Sequence, residues 1–301
     1  MPAVITPTRI KLQNILFATD FSPSAQSALP YALTLGRSYE ARMYSVNVIP
    51  HLPFVEGVEP DYEQIRQSAT QRMTNWAQSG FSRDVRHKEM IEEGEIPDVL
   101  SRLVQEYDID LIVIGTGGRR RFEKLLLGSV SEEVFRNASC PVLTVGPHAA
   151  PWRNGSLRHI VYATDFGSES MHALPYAIAF AEANRAFLTM LHVAAEPGVV
   201  LPEPEPGSLP VLDPKEVIAS TQKQLRGLIP EANSLWHQPE FLVQFGEAAE
   251  AIVKAAQGAD MIVLGVKRPT PLTKHLGAGV AYKVACEAPC PVLSVSARYH
   301  N

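Results

Sequence analysis

The residues best placed to do chemistry lie in the run Gly115-Thr-Gly-Gly118-Arg-Arg-Arg-Phe-Glu-Lys-Leu-Leu-Leu-Gly128-Ser129-Val130-Ser131. It follows an apolar stretch, Asp110–Gly115, that reads as a strand. A strand ending in glycines marks the carboxyl edge of an open α/β sheet, where such sheets place ligands. Glycine lets the backbone approach a phosphate, because no Cβ intervenes and positive φ is allowed. Gly128-Ser129-Val130-Ser131 then opens a helix, with unpaired N–H groups, the positive dipole end and two hydroxyls. Such a cradle suits an anion, and a nucleotide's phosphates in particular. On residue types alone, the same glycines also suit a tight turn. The spacing Gly-x2-Gly-x9-Gly-Ser fits neither a Walker loop nor the dinucleotide fingerprint.

The elements that must position this run occur twice. Asn14-Ile-Leu-Phe-Ala-Thr-Asp20-Phe-Ser returns as His159-Ile-Val-Tyr-Ala-Thr-Asp165-Phe-Gly, and Cys140-Pro-Val-Leu-Thr-Val145 as Cys290-Pro-Val-Leu-Ser-Val295. Solenoid repeats run to about 20–50 residues, so a longer period marks a duplicated domain. The 301 residues are therefore divided at 1–147 and 156–301, with Pro147–Gly155 as the linker. In each half short apolar runs alternate with amphipathic stretches, the pattern of a parallel sheet covered by helices. In the first half, strands are expected over Ile10–Thr19, Arg42–Ile49, Val85–Ile91, Asp110–Gly115 and Val142–Val145. Helices are expected over Ser24–Ser38, Asp61–Gly80, Ile96–Tyr107 and Val130–Asn137. Pro30 and Pro175 predict a kink or a late start in the first helix of each half. Glu196–Pro214, rich in proline, reads as an extended loop. The last strand of each half is short and uncharged, a bare edge if left alone. Pairing one such edge with the other makes the monomer a pseudo-symmetric dimer, and a dimer of these chains is a further expectation.

Aligning Gly265 with Gly115 puts Arg268 at Gly118, Ala278 at Gly128, Gly279 at Ser129 and Ala281 at Ser131. Pro269 and Pro271 also enter the loop. The second copy thus fills two backbone-approach positions and loses both hydroxyls.

The glycine–serine spacing, the Ala-Thr-Asp-Phe-Ser end of the first strand and the closing Cys-Pro-Val-Leu-Thr-Val together resemble the universal stress protein family, as two tandem copies. The resemblance implies, for each half, a five-stranded parallel sheet in the order 3-2-1-4-5, doubly wound with helices, and dimers paired through the last strand. It implies ATP as ligand, with phosphate and ribose contacts at Gly115, Gly118, Gly128, Ser129, Val130 and Ser131. Asp20 matches the family's adenine-pocket aspartate, and Val48 a residue whose backbone reads the adenine edge; Asp165 and Val193 hold those places in the second half. Mg2+ or Mn2+ is implied on the ATP phosphates. The expected function is an ATP-binding regulatory or stress-response module that acts by nucleotide-dependent shape or choice of a protein partner. The rival readings are a slow ATPase or adenylate-transferring hydrolase, with Glu123, Glu132 and Glu133 near the motif, and a nucleotide-free interaction module.

Bulk properties narrow the partners. A formal net charge of −5 gives no electrostatic footprint for nucleic acid or an acidic membrane. No signal-peptide pattern opens the chain and no apolar run approaches a membrane span, so the expected location is cytoplasmic. Cys140 and Cys290 read as buried small hydrophobes in a reducing compartment. The histidines lack metal-ligand spacing, Arg119-Arg120-Arg121 and Lys124 read as a solvated face, and Trp76, Trp152 and Trp236 read as packing residues.

Overall fold

The computed structural model describes residues 12–51, 61–80, 85–116, 133–135, 138–152, 155–196, 213–229, 235–267 and 279–296. The first half comprises β1 (Asn14–Ala18), α1 (Pro23–Ser38), β2 (Arg42–Ile49), α2 (Tyr62–Gly80), β3 (His87–Glu93), α3 (Ile96–Glu106), β4 (Leu111–Gly115) and β5 (Val142–Val145). The second comprises β6 (His159–Ala163), α4 (Ser168–Asn184), β7 (Phe187–Ala194), α5 (Pro214–Gly227), β8 (Glu240–Phe245), α6 (Ala248–Ala255), β9 (Met261–Val266), α7 (Val280–Glu287) and β10 (Val292–Ser296). Residues 133–135 are helical; the rest of the helix expected over Val130–Asn137, apart from these three, lies outside the described residues. So do residues 197–212 of the expected proline-rich loop.

All the strands form one sheet of ten, in the order β3-β2-β1-β4-β5-β10-β9-β6-β7-β8. Each half has the expected 3-2-1-4-5 order, parallel throughout. The two halves meet where β5 and β10 pair antiparallel, with Leu143 opposite Leu293. The join is sealed by side chains as well. Thr144 Oγ1 donates to the Val292 carbonyl and Ser294 Oγ to the Val142 carbonyl, both at 3.1 Å. The chain is thus a pseudo-dimer within one polypeptide.

One face of the sheet carries a single core that runs through both halves. It unites Phe17 and Leu143 with Tyr162 and Leu293, beneath α1 and α4. The other face has two separate cores, one under α3 and one under α6 and α7. The linker is built into the shared core. Trp152 is buried, its indole N–H donates to the Asp260 carbonyl at 2.7 Å, and its ring meets Tyr31 edge-on at 5.0 Å. Ala150 N–H donates to the Pro289 carbonyl, while its own carbonyl accepts from the Tyr31 hydroxyl at 2.7 Å.

Three expectations need correction. β1 opens at Asn14 rather than Ile10, because the N–H groups of Gln13 and Asn14 both donate to the Asp110 carboxylate, at 2.7 and 2.9 Å. The first helices do not start late: α1 runs from Pro23 through Pro30, and α4 from Ser168 through Pro175. Pro30 removes the intrahelical donor of the Gln26 carbonyl, but both residues are exposed, so the cost falls on the solvent side of the helix. Trp236 is not a core residue; it is 60% exposed, with the Arg185 guanidinium 4.2 Å from its ring centroid.

Candidate functional site

The order 3-2-1-4-5 reverses between β1 and β4, and open α/β sheets bind ligands at the carboxyl ends of the strands at such a reversal. β1 delivers Asp20 to this crevice and β4 delivers Gly115. Between them the chain leaves β1 in a tight, hydrogen-bonded turn. Phe21 takes a left-handed φ of 60°, its N–H donating to Thr19 Oγ1 at 2.9 Å. Ser22 N–H donates to Asp20 Oδ1 at 2.9 Å. Ser22 Oγ in turn accepts from Ala25 N–H and caps α1. The Asp20 carboxylate therefore holds the turn that leaves β1.

Val48 is half-buried near the end of β2. The β1–β2 ladder ends with Thr19 N–H donating to the Val46 carbonyl. The Thr19 carbonyl then accepts from the Asn47 side-chain amide at 2.7 Å. In a parallel strand alternate residues turn their backbone groups to the same neighbour. Val48 thus turns its N–H and C=O toward β1, at a level β1 has already left.

Gly115 has a packing reason of its own. A Cβ there would lie inside contact distance of the Ser24 carbonyl and 2.9 Å from Ala25 N. Gly265, its counterpart, meets the backbone of Glu169 and Ser170 in the same way. In both halves the first motif glycine lets the start of the first helix press against the end of the fourth strand. Gly118, Gly128, Ser129, Val130 and Ser131 lie outside the described residues, so Asp20, Val48 and Gly115 are the members of the expected set that the structure places, at or just past the carboxyl ends of the neighbouring strands β1, β2 and β4.

The second half repeats the turn with altered chemistry. Phe166 has φ 59°, and the Thr164 carbonyl accepts from His192 Nδ1 at 2.8 Å, where the first half uses Asn47. The His192 ring lies 4.7 Å from that of Phe166. Ser170 Oγ lies 2.8 Å from Asp165 Oδ1 and 2.9 Å from Thr164 Oγ1. With Ser170 donating to the carboxylate, the Thr164 hydroxyl donates to Ser170. Gly279 caps α7 where the first motif has Ser129, with no side-chain hydrogen bond to the helix, and Ala281 follows in place of Ser131. Asn47, His192 and the paired threonines were not singled out by spacing; the repeated Ala-Thr-Asp-Phe carried the signal for Thr19 and Thr164.

Burial would raise the Asp165 pKa, but hydrogen bonds from Gly167 N–H and Ser170 Oγ, with the charge of Lys267, hold it below the ordinary 3.8. A depressed folded-state pKa contributes stability that is full above the unfolded value and is lost as pH falls through the folded one. Ser170→Ala is therefore expected to move the Asp165 carboxyl titration upward and to shrink its share of the acid-induced loss of stability below pH 3.8. A carbon-detected NMR titration reads the first effect. An unmoved Asp165 midpoint would show that Ser170 contributes nothing to it.

The fold and crevice define a duplicated, doubly wound α/β protein with a ligand-type edge at each strand-order reversal. The family model for the universal stress protein family matches residues 11–146 and again 156–296, and the chain belongs to that family. A universal stress protein of Methanocaldococcus jannaschii is 32% identical over 141 residues, which is 44% of this chain and 81% of the relative. A putative universal stress protein of Staphylococcus aureus is 29% identical over 155 residues, 47% of this chain and 89% of the relative. The crystal structure of a universal stress protein from Archaeoglobus fulgidus superposes with a TM-score of 0.71 at 18% identity, covering 95% of this chain and 99% of that one. That likeness extends over both halves and is one of fold. No helix among the described residues is long and apolar enough to cross a membrane.

Proposed function

We propose that the first half binds ATP and that the chain acts as a nucleotide-dependent regulatory protein, its second half serving as structural partner. The observation that carries this reading is the Gly-x2-Gly-x9-Gly-Ser spacing, which begins at Gly115 where β4 ends, beside the β1 strand that leads to Asp20 and toward which Val48 turns its backbone groups. An N–H and a C=O side by side match the acceptor and donor on the edge of adenine. Asp20 borders the same crevice. Gly118, Gly128, Ser129, Val130 and Ser131 supply the phosphate cradle, and Mg2+ or Mn2+ rides on the phosphates. Regulation requires that the Gly115–Ser131 segment bind a protein partner differently with and without nucleotide.

Calorimetric titration of MgATP tests the reading. One ATP per chain is expected, with binding abolished in Gly128→Arg, which puts a side chain where the phosphates approach. Two equivalents would overturn the assignment of the second half as partner only. No heat, together with an unchanged melting temperature in excess ATP, would leave an interaction module without nucleotide.

A further inference from the structure

The ten-stranded sheet ends in two edges of opposite character. β3 carries Lys88, Glu89, Glu92 and Glu93, two of them in ion pairs at 2.7 Å, Arg66–Glu93 and Arg102–Glu92. Charges of this kind blunt an edge against pairing. β8 reads Glu240-Phe-Leu-Val-Gln-Phe245 and has no charge after its first residue. Gly246 N–H donates inward to the Ala194 carbonyl of β7, so the even-numbered residues of β8 face β7. The odd ones face outward, and Gln222 of α5 accordingly donates to the Phe241 carbonyl at 3.0 Å. The outward N–H and C=O of Val243 and Phe245 meet no hydrogen-bond partner among the described residues.

We propose that β8 is a self-pairing edge, through which two copies of the chain join β8 to β8 antiparallel about a two-fold axis at Val243. That register sets Val243 opposite its own copy and Phe241 opposite Phe245, an aromatic cross-strand pair on each side of the axis. The Phe241 carbonyl keeps a second lone pair for the partner strand beside Gln222. The register fits a second copy as the occupant, since Phe241 and Phe245 become each other's partners and no like charges of the strand meet across the axis. A two-fold contact sets a strand against itself, so a charged edge repels its copy and an uncharged one does not. β3 fails this condition and β8 meets it. The chain already joins two uncharged edges this way, at β5 and β10. Apolar surface also continues from the edge: Phe187, which opens β7, is 56% exposed and stacks on His237 at 4.0 Å, beside the exposed Trp236.

Sedimentation velocity of the full chain over a concentration series tests the proposal. A dimer is expected. Val243→Pro removes an outward N–H that the β7 ladder does not use, and Val243→Lys sets two ammonium groups face to face. Each is expected to weaken self-association about tenfold or more, the factor that about 1.4 kcal/mol of lost pairing gives. Hydrogen exchange on the unaltered chain gives a readout independent of variant folding: the Val243 and Phe245 amides are expected to be protected at high concentration and to exchange fast on dilution. A monomer at every concentration, a dimer indifferent to both variants, or fast exchange of these amides throughout would each overturn the proposal.

Discussion

Gly115→Ala is expected to destabilise the chain by about 3 kcal/mol in the absence of any nucleotide, and Gly265→Ala by as much. In each case the new Cβ meets helix backbone: Ser24 and Ala25 in the first half, Glu169 and Ser170 in the second. No rotamer change relieves a clash with backbone, so the first helix must shift along its length. α1 and α4 both cover the shared core, and a shift of either opens packing around Phe17 or Tyr162. At about 2 °C per kcal/mol for a protein of this size, the melting temperature should fall by about 6 °C in either variant. The paired measurement separates packing from ligand approach. Equal losses in the two halves mark a glycine required by the fold. A Gly115→Ala variant with unchanged melting temperature and lost ATP affinity would mark one required by the phosphates instead.

The features written in local pattern were legible from the chain, and those written in tertiary approach were not. β2 and β5 occupy the expected residues because each is a short stretch rich in β-branched and apolar residues next to turn-forming ones. The sheet order is the one the family resemblance implies, and the β5–β10 join follows from the duplication and its uncharged final strands. At the site, Gly115 stands out because it closes an apolar strand, and Asp20 because it matches the family's aspartate at the end of the first strand. The need for glycine at position 115 is invisible in sequence, since it depends on where α1 lands. Asn47 and His192 were equally hidden: a polar residue near the end of a strand gives no sign that it will cap a carbonyl across the crevice. Pro30 misled because propensity weighs the missing N–H but not which side of the helix it falls on. There the proline falls on the exposed side, and burial of Leu29, Tyr31 and Leu33 holds the helix together across it.

Trp152→Ala is expected to cost about 3–5 kcal/mol, the range for truncating a buried aromatic side chain. Its position makes the loss larger in consequence than in size. The indole lies against Tyr31 of the first half and donates to Asp260 of the second, so one linker residue fastens both halves to a single core. Burial there, with the nearby Cys290 and Asp260, pushes the Tyr31 phenol up to about 12, which keeps its hydroxyl a donor to Ala150 across the accessible pH range. Trp152→Phe keeps a ring beside Tyr31 and loses the hydrogen bond, leaving the Asp260 carbonyl without its indole donor; about 1–3 kcal/mol is expected. Asp260 also holds the start of β6 through Arg158 and His159 N–H, so the disturbance reaches the central strand of the second half. With one core serving both halves, the variant should melt in a single transition at lower temperature. Two separate transitions, one of them at the wild-type temperature, would show that the halves are stable independently and that the linker only tethers them.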